Sequence, residues 1–126
     1  MIKHNKIKCP CCDLFTLEEH DTFEICIVCG WEDDGQNDEN SEMVLGGPNK
    51  DYSLKEARAN FKKFNCMYRK GDELFPTNKA YTKQIEKLIS KYKKLELNVV
   101  DIKLVSDIEN LESQLLIIPK NKKIKE

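Results

Sequence analysis

The chain has 126 residues, enough for one domain or for a small module with an appended helical part. Charged residues make up 34% of it and the mean hydropathy is −0.61, so a polar surface is expected, while periodic apolar segments exclude wholesale disorder. The net charge of −1 excludes the strongly basic class of generic nucleic-acid binders. That charge is divided unevenly, because residues 1–65 carry −5 and the remainder +4.

The start of the chain contains no apolar run of the length of a signal peptide, and no segment is long enough to cross a bilayer. We therefore expect a cytoplasmic protein. In a reducing compartment, clustered cysteines are more often metal ligands than disulfides. The cysteines of this chain are accordingly interpreted as candidate metal ligands.

Residues 7–31 predict two short arms, each with a Cys-x-x-Cys turn at its end. Apolar residues nearly alternate along this segment, a pattern typical of short strands. The alternating positions are Phe15, Leu17, Phe23, Ile25 and Ile27. The segment therefore predicts a small β-hairpin module.

The two Cys-x-x-Cys turns predict a Zn²⁺ site. Cys9 and Cys12 form the first pair, Cys26 and Cys29 form the second, and thirteen residues separate the pairs. Zinc prefers four soft ligands in a tetrahedron, and each turn presents two sulfurs on one side of a tight loop. Gly30 permits the positive φ that such a turn often needs. We expect a structural tetrathiolate zinc site.

The remaining cysteines and the histidines have other expected roles. Cys11 lies inside the first turn and is interpreted as a small turn residue, with a reactive or redox thiol as the alternative. Cys66 is predicted to be a buried structural thiol. His4 and His20 are expected at the surface, since four cysteines complete a structural site and leave no open position for catalysis.

The segment after the second pair, residues 31–52, is acidic and rich in Gly and Asn, so it predicts a loop. Three uses of its carboxylates stay open: a Mg²⁺ or Ca²⁺ site, an acidic surface for a basic partner, or a solvated loop that caps its own amides. The sequence GGPN at 46–49 predicts a tight turn into the next helix rather than a phosphate cradle. The residues assigned to partner binding are Trp31, Glu32, Asp33, Asp34, Asp38 and Glu39.

Two amphipathic helices follow the loop. The first is predicted to start at Ser53, with Glu56 completing a capping box, and to end near residues 65–66. The second is predicted over residues 77–95, with an apolar stripe at Tyr81, Ile85, Leu88, Tyr92 and Leu95. Its opposite face carries lysines at every fourth position, which can either be a solvated face or meet the phosphates of a nucleic acid. These lysines are Lys79, Lys83, Lys87 and Lys91.

The sequence of the last third of the chain fits more than one secondary structure. Alternation of Val100, Ile102 and Leu104 favours a half-buried strand. Residues 107–119 fit either a helix through Ile108 and Leu115 or a further strand at 115–118.

Several sequence blocks in order, CPCC, FEICIVCGWEDD, GGPN and SLKEARANFKKF, resemble the cysteine-rich CPCC domain family of bacteria over residues 7–66. The resemblance implies a small zinc-ribbon-like fold, with ligand roles for the two cysteine pairs and no assigned activity. It also places residues 31–34 in the family's signature. The chain departs from the family pattern at Ile27 and Val28, where Pro-Val is common, and continues for about sixty further residues after the family's helix.

Together these observations predict an α+β protein. Residues 1–66 would form a zinc-ribbon-like module with its helix, and residues 67–126 a helical and strand extension packed on it as one compact unit. No catalytic constellation is recognisable, so we expect a non-catalytic binding protein that acts through protein–protein contact, for example an immunity protein that neutralises a basic bacterial toxin or nuclease. A nucleic-acid-binding zinc ribbon and a thiol-redox protein centred on Cys11 are the alternatives.

Overall fold

The structure is a computed structural model that describes residues 6–95 and 101–121. Within these residues it contains a two-stranded antiparallel sheet followed by three helices, so the α+β prediction is confirmed. The strands are β1, Ile7–Lys8, and β2, Phe15–Leu17. The helices are α1, Leu54–Phe64; α2, Lys79–Tyr92; and α3, Ile102–Leu115. None of the described helices is long and apolar enough to span a bilayer.

The hairpin at the front pairs Ile7 with Leu17 and Lys8 with Phe15. The second predicted arm, which ends at the Cys26–Cys29 turn, does not form a pair of strands. Its pairing is limited to a single bridge between Ile25 and Glu32. Phe23 and Ile25 are exposed, and Phe23 has a positive φ of 61°. The alternation along this arm therefore predicted more strand than the backbone turns allow.

Helix α1 begins and ends as its sequence predicts. Ser53 is the N-cap, and its side chain accepts a hydrogen bond from the backbone N–H of Glu56. The helix ends at Asn65, which adopts the left-handed conformation and donates its backbone N–H to the carbonyl of Phe61. Leu54 and Ala57 on the predicted apolar face are buried.

Helix α2 begins two residues later and ends three residues earlier than predicted. Asn78 caps it, accepting from the N–H of Ala80 and donating through its amide to the carbonyl of Pro119. The segment after α3 is thereby attached to the start of α2. The predicted apolar stripe of α2 is buried throughout: Tyr81, Ile85, Leu88, Tyr92 and Leu95.

The strand predicted around residues 100–104 is wrong, because this segment forms the start of α3. The side chain of Asp101 caps the helix by accepting from the N–H of Leu104. Leu104 and Ile108 are buried one helical turn apart, whereas Ile102 is exposed, as a helical period requires. Val100 lies outside the described residues. The alternative strand at 115–118 is also wrong, since α3 continues to residue 115 and a turn follows.

Buried side chains from the cysteine turns and from the helices belong to one continuous cluster. Helices α2 and α3 pack against each other, and the Gln84 amide donates across them to the carbonyl of Leu111. The cluster runs from the first cysteine turn to the last helix and includes Cys9, Leu17, Trp31, Leu54, Leu88 and Ile108. The cysteine turns are therefore supported by the same core as the helices.

Candidate metal centre

The two cysteine turns have the same backbone geometry. In the first turn Cys9 donates its N–H to the carbonyl of Leu14 at 2.8 Å, and its own carbonyl accepts from the N–H of Asp13 at 2.9 Å. In the second turn Cys26 donates to Trp31 at 2.9 Å and accepts from Gly30 at 3.0 Å. The residue that follows each pair has a positive φ, 65° at Asp13 and 91° at Gly30. The two segments share only their cysteine spacing in sequence, yet the structure gives them equivalent turns opposite each other.

The turns bring four sulfurs together. The Sγ atoms of Cys9 and Cys29 are 3.6 Å apart, those of Cys12 and Cys26 are 3.7 Å apart, and all four lie within 4.8 Å of one another. A zinc tetrahedron with Zn–S bonds of about 2.3 Å has S–S edges of about 3.8 Å. A disulfide would need S–S bonds of about 2.05 Å, so the sulfurs are not bridged. We call these four Sγ atoms the sulfur cluster.

Hydrogen-bond donors surround the sulfur cluster. The backbone N–H of Cys29 donates to the sulfur of Cys26, and that of Trp31 donates to the sulfur of Cys29, each at 3.5 Å. The Oγ1 atom of Thr16 lies 3.0 Å from the sulfur of Cys26. Donors of this kind stabilise thiolates and orient ligands, as outer-sphere groups do in metal sites. The donor set and its surroundings therefore fit a tetrahedral thiophilic metal.

The thiols perturb one another's ionisation. Burial opposes ionisation of Cys26, but hydrogen bonds from Cys12, Cys29 and Cys9 lower the pKa of its thiol well below the ordinary value. The pKa of Cys12 is raised, chiefly by its hydrogen bond to Cys26. Burial raises the pKa of Cys29, and contact with Cys11 raises it further. A bound cation would favour the thiolate form of every ligand.

The other two cysteines are buried beside the cluster. Cys11 is 6% exposed and contacts the Cys29 thiol, as expected of a small residue packed in the turn. Cys66 is 4% exposed, and burial raises the pKa of its thiol to about 11. Reactive thiols are partly exposed, so the burial of Cys11 argues against a thiol-redox role for it.

The histidines are placed apart from the sulfur cluster where they are described. His20 is exposed, and its Nδ1 atom lies 3.4 Å from Oδ2 of Asp33. His4 lies outside the described residues.

The acidic loop is folded more tightly than its composition predicts. Trp31 is fully buried and Asp33 is 2% exposed, so neither side chain lies on the exposed surface of the loop where the sequence placed it. The side chain of Asn49 holds both backbone groups of Glu32, accepting from its N–H at 3.1 Å and donating to its carbonyl at 2.8 Å. Asp34 accepts from the N–H of Gln36. Part of the loop thus caps its own amides.

The exposed carboxylates of the loop lie farther along it. Asp38 and Glu39 are exposed, and Asp38 forms an ion pair with Arg58 at 2.7 Å. Arg58 also donates through Nε to the carbonyl of Pro10, so it joins α1, the loop and the first cysteine turn. Helical spacing placed Arg58 on α1 but gave no signal for this contact, since its partners are 48 and 20 residues away in sequence.

A second arginine fixes the chain after α1. Arg69 forms a two-pronged ion pair with Glu56 at 2.7 and 2.8 Å and lies over the ring of Tyr52 at 4.1 Å. The N–H of Met67 donates to the carbonyl of Cys29 at 2.9 Å, which attaches this segment to the second cysteine turn. Glu56 therefore uses its carboxylate for Arg69, while only the Ser53 half of the predicted capping box is present.

An apolar cleft of about 530 Å³ opens beside the second cysteine turn. Exposed apolar residues at its edge include Ile25, Leu74 and Leu116. No pattern in the sequence predicted this cleft, because the segment that carries Leu116 fitted a strand as well as a helix.

The lysines of α2 divide into two groups. Lys79, Lys83 and Lys87 are exposed, as predicted for this face. Lys91 is half-buried and forms an ion pair with Asp107 of α3 at 3.5 Å. The exposed lysine face is therefore shorter than the sequence predicts.

A family model described as cysteine-rich CPCC matches residues 7–79. The matched segment contains the two cysteine turns, the acidic loop, α1 and the Arg69 contacts, and it ends at the first residue of α2. The resemblance seen over residues 7–66 is confirmed and extends farther along the chain. No curated protein and no solved structure matches this chain.

Proposed function

The chain belongs to the cysteine-rich CPCC family. We propose that it is a non-catalytic binding protein whose front, residues 9–49, is stabilised by a structural Zn²⁺ ion. The front presents an acidic surface to a basic partner protein. An immunity protein that neutralises a basic bacterial toxin, such as a nuclease, is the concrete form of this proposal.

The observation that supports zinc most strongly is the spacing of the sulfur cluster. Four buried sulfurs, two pairs of which lie at tetrahedral edge distances, would complete the coordination of Zn²⁺ and leave no position for a substrate or an activated water. Zinc bound there would supply folding free energy, because the ligands are brought together only in the folded chain.

The charge of the front supports a basic partner. Residues 9–49 contain eleven Asp and Glu and no Lys or Arg. A Zn²⁺ ion with four thiolates adds a net charge of about −2 to the same segment. Complementary charge accelerates encounter with a basic partner and disfavours acidic ones. The exposed carboxylates on this segment are Asp13, Glu18, Glu19, Asp21, Asp38, Glu39 and Glu42.

Nucleic acid is the second candidate, supported by the exposure of Lys79, Lys83 and Lys87 on one face of α2. It is the weaker candidate for two reasons. Lys91 is paired with Asp107, and both arginines of the chain, Arg58 and Arg69, are paired with carboxylates. The acidic front would also repel phosphates.

The test has two arms. Elemental analysis of protein purified without added metal should give about one zinc per chain, as a four-cysteine site holds one ion. Capture from host lysate should then recover a basic protein whose binding is lost when Glu18, Glu19 and Glu39 are changed to Lys. The control changes Lys79, Lys83 and Lys87 to Ala and should leave capture unchanged. A metal-free protein, or capture that depends on the lysines and is abolished by nuclease treatment, would contradict the proposal.

A further inference from the structure

A polar cavity of about 340 Å³ lies between the first cysteine turn, the acidic loop and α1. Its wall includes Pro10, His20, Asp21, Asp33, Gln36 and Arg58. We call it the polar cavity. Nothing in the zinc site or in the exposed acidic surface requires it.

Asp33 places a buried carboxylate in this wall. It is 2% exposed, and its two oxygens accept from the backbone N–H groups of Asp21 at 2.9 Å and Gly35 at 3.3 Å. Among the described residues no lysine or arginine forms an ion pair with it, and the neighbouring cationic group is His20, charged only when protonated. Buried carboxylates are costly unless a charge pairs with them. Asp33 therefore lacks a permanent cationic partner.

Gln36 is a second and independent observation. It is 3% exposed, and its amide nitrogen donates to the carbonyls of Asn40 at 2.9 Å and Met43 at 2.8 Å. These two bonds fix the orientation of the amide. Its Oε1 atom is buried and accepts no hydrogen bond from the described residues. A buried acceptor without a donor is uncommon in folded proteins and calls for a partner.

The other groups of the wall add acceptors. The carboxylate of Asp21 lies against Gly35, where an added Cβ would fall 2.7 Å from Oδ1 of Asp21. The charge of Arg58 is offset by Asp38, its ion-pair partner in the same wall, which leaves the carboxylates of Asp21 and Asp33 in excess. The wall therefore presents an excess of acceptors and negative charge.

We propose that the polar cavity receives the guanidinium group of an arginine from the basic partner. This inference rests on the proposed function and names the chemistry by which its acidic front recognises the partner. A guanidinium is planar, remains charged, and offers five donors and no acceptor, which complements Asp33, Asp21 and the free oxygen of Gln36. Arginine side chains are frequent anchors at the centre of protein interfaces.

The test uses the metal-loaded full chain, labelled with ¹⁵N, and two small probes. N-acetyl-arginine amide carries the guanidinium, and N-acetyl-citrulline amide has nearly the same shape without the charge. The arginine probe should shift the backbone amides of Asp21, Gly35 and Gln36 and the side-chain amide of Gln36 in a saturable manner. The citrulline probe should bind at least about fivefold more weakly, since charge-assisted hydrogen bonds are roughly twice as strong as neutral ones.

The variants compare an acidic residue of the cavity wall with one of the acidic surface outside that wall. Asp33→Asn can disturb the loop, because the carboxylate accepts two backbone amides. Asp21→Asn is therefore the main variant and should weaken the arginine probe by about fivefold. The matched control is Glu39→Gln, an exposed carboxylate of the same loop outside the cavity wall, which should have little effect.

Three results would overturn the proposal. The two probes could bind equally well, or Asp21→Asn and Glu39→Gln could weaken binding of the arginine probe equally. Mg²⁺ could also shift the same amide resonances with a higher affinity than the arginine probe. Metal content and partner capture are measured separately. If the cavity does not bind the arginine probe, this inference fails while the proposed zinc site and acidic surface are unaffected. If the protein contains no metal, the proposed function itself fails.

Discussion

The hydroxyl oxygen of Thr16 lies 3.0 Å from the sulfur of Cys26, and both residues are buried. Thr16 belongs to β2, beside the first cysteine turn, whereas Cys26 opens the second turn. The contact therefore joins the hairpin to the opposite half of the sulfur cluster. A hydroxyl that donates to a ligand sulfur stabilises its thiolate, so we expect Thr16 to strengthen metal binding, although its sequence position does not reveal this.

Thr16→Val should keep the shape of the side chain and remove this hydrogen bond. We expect the protein to fold and to bind zinc with about tenfold to a hundredfold lower affinity, the usual effect of losing an outer-sphere partner. Competition with a chromophoric chelator measures the change. Thr22→Val, an exposed threonine of the same front, is the control and should leave zinc affinity unchanged. Equal affinities for Thr16→Val and the native protein would show that the contact does not act on the metal site.

Single Cys→Ser variants should divide the six cysteines into two sets. Serine at position 9, 12, 26 or 29 removes one of the four clustered sulfurs, so each variant should lose stoichiometric zinc and much of the stability of the front. Serine at position 11 or 66 should retain zinc and lose at most a few kcal/mol, because a buried hydroxyl needs a hydrogen-bond partner. Elemental analysis and thermal unfolding give the two readouts. Retention of full zinc by Cys26→Ser would contradict the ligand assignment.

Gly30 and Asp13 occupy equivalent positions after the two cysteine pairs, but they should respond to substitution differently. An alanine at position 30 would adopt a φ of 91°, and its Cβ would lie 3.0 Å from the ring of Tyr68. Gly30→Ala should therefore lower the free energy of unfolding by about 1–3 kcal/mol. Asp13→Gly, at a φ of 65° with an exposed side chain, should change it by less than about 1 kcal/mol. Denaturant titration of the zinc-loaded variants gives both values, and comparable losses would contradict this reading of the turns.

The sequence was sufficient to predict which cysteines come together. The two Cys-x-x-Cys spacings are local features, and each turn is fixed by hydrogen bonds within six residues, such as those from Cys9 to Leu14 and from Gly30 to Cys26. The N-cap of α1 at Ser53 and the stripe of α2 are likewise set by neighbouring residues and were confirmed, whereas the Glu56 half of the capping box was not. Local signals of this kind are readable because the partners are close along the chain.

What the sequence could not predict depends on distant partners or on competing periods. Trp31 and Asp33 lie in an acidic stretch typical of a solvated loop, yet the loop folds back on Asn49 and buries them. Alternation favoured a strand at Leu104, but the cap at Asp101 and the packing on α2 place it in a helix. Such choices depend on tertiary contacts, which a single sequence does not display.

The ion pair of Glu56 and Arg69 predicts a pH dependence of stability. Hydrogen bonds from Arg69 lower the pKa of the Glu56 carboxyl below its ordinary value. A carboxyl whose pKa is lower in the folded chain than in the unfolded chain stabilises the fold above its unfolded pKa. This stabilisation is lost as the pH falls through the folded value. Glu56→Gln should therefore lower stability at pH 7 by about 0.5–1 kcal/mol, allowing for solvent screening, and the difference from the native protein should shrink as the pH falls through the folded pKa of Glu56.

Measurements of this difference need a control for acid release of the metal, which affects both proteins. Glu73→Gln, an exposed carboxylate in the connection before α2, serves that purpose and should show no such convergence. Urea unfolding at intervals between pH 7 and pH 3 provides the data. A constant difference between Glu56→Gln and the native protein over this range would show that the ion pair contributes nothing.

Leu88→Ala tests whether the metal centre and the helices unfold together. Leu88 is fully buried in α2 and belongs to the same cluster of buried side chains as the four clustered cysteines. The cavity left by the substitution should cost about 2–5 kcal/mol. If the front relies on this shared core, zinc release on heating should move to lower temperature by as much as the loss of helical circular dichroism. Leu116→Ala, at a position 78% exposed, is the control and should move neither transition. Helix loss at lower temperature with unchanged zinc release would mean that the residues around the cysteine turns hold their structure without α2, and that the two parts of the chain are independent units.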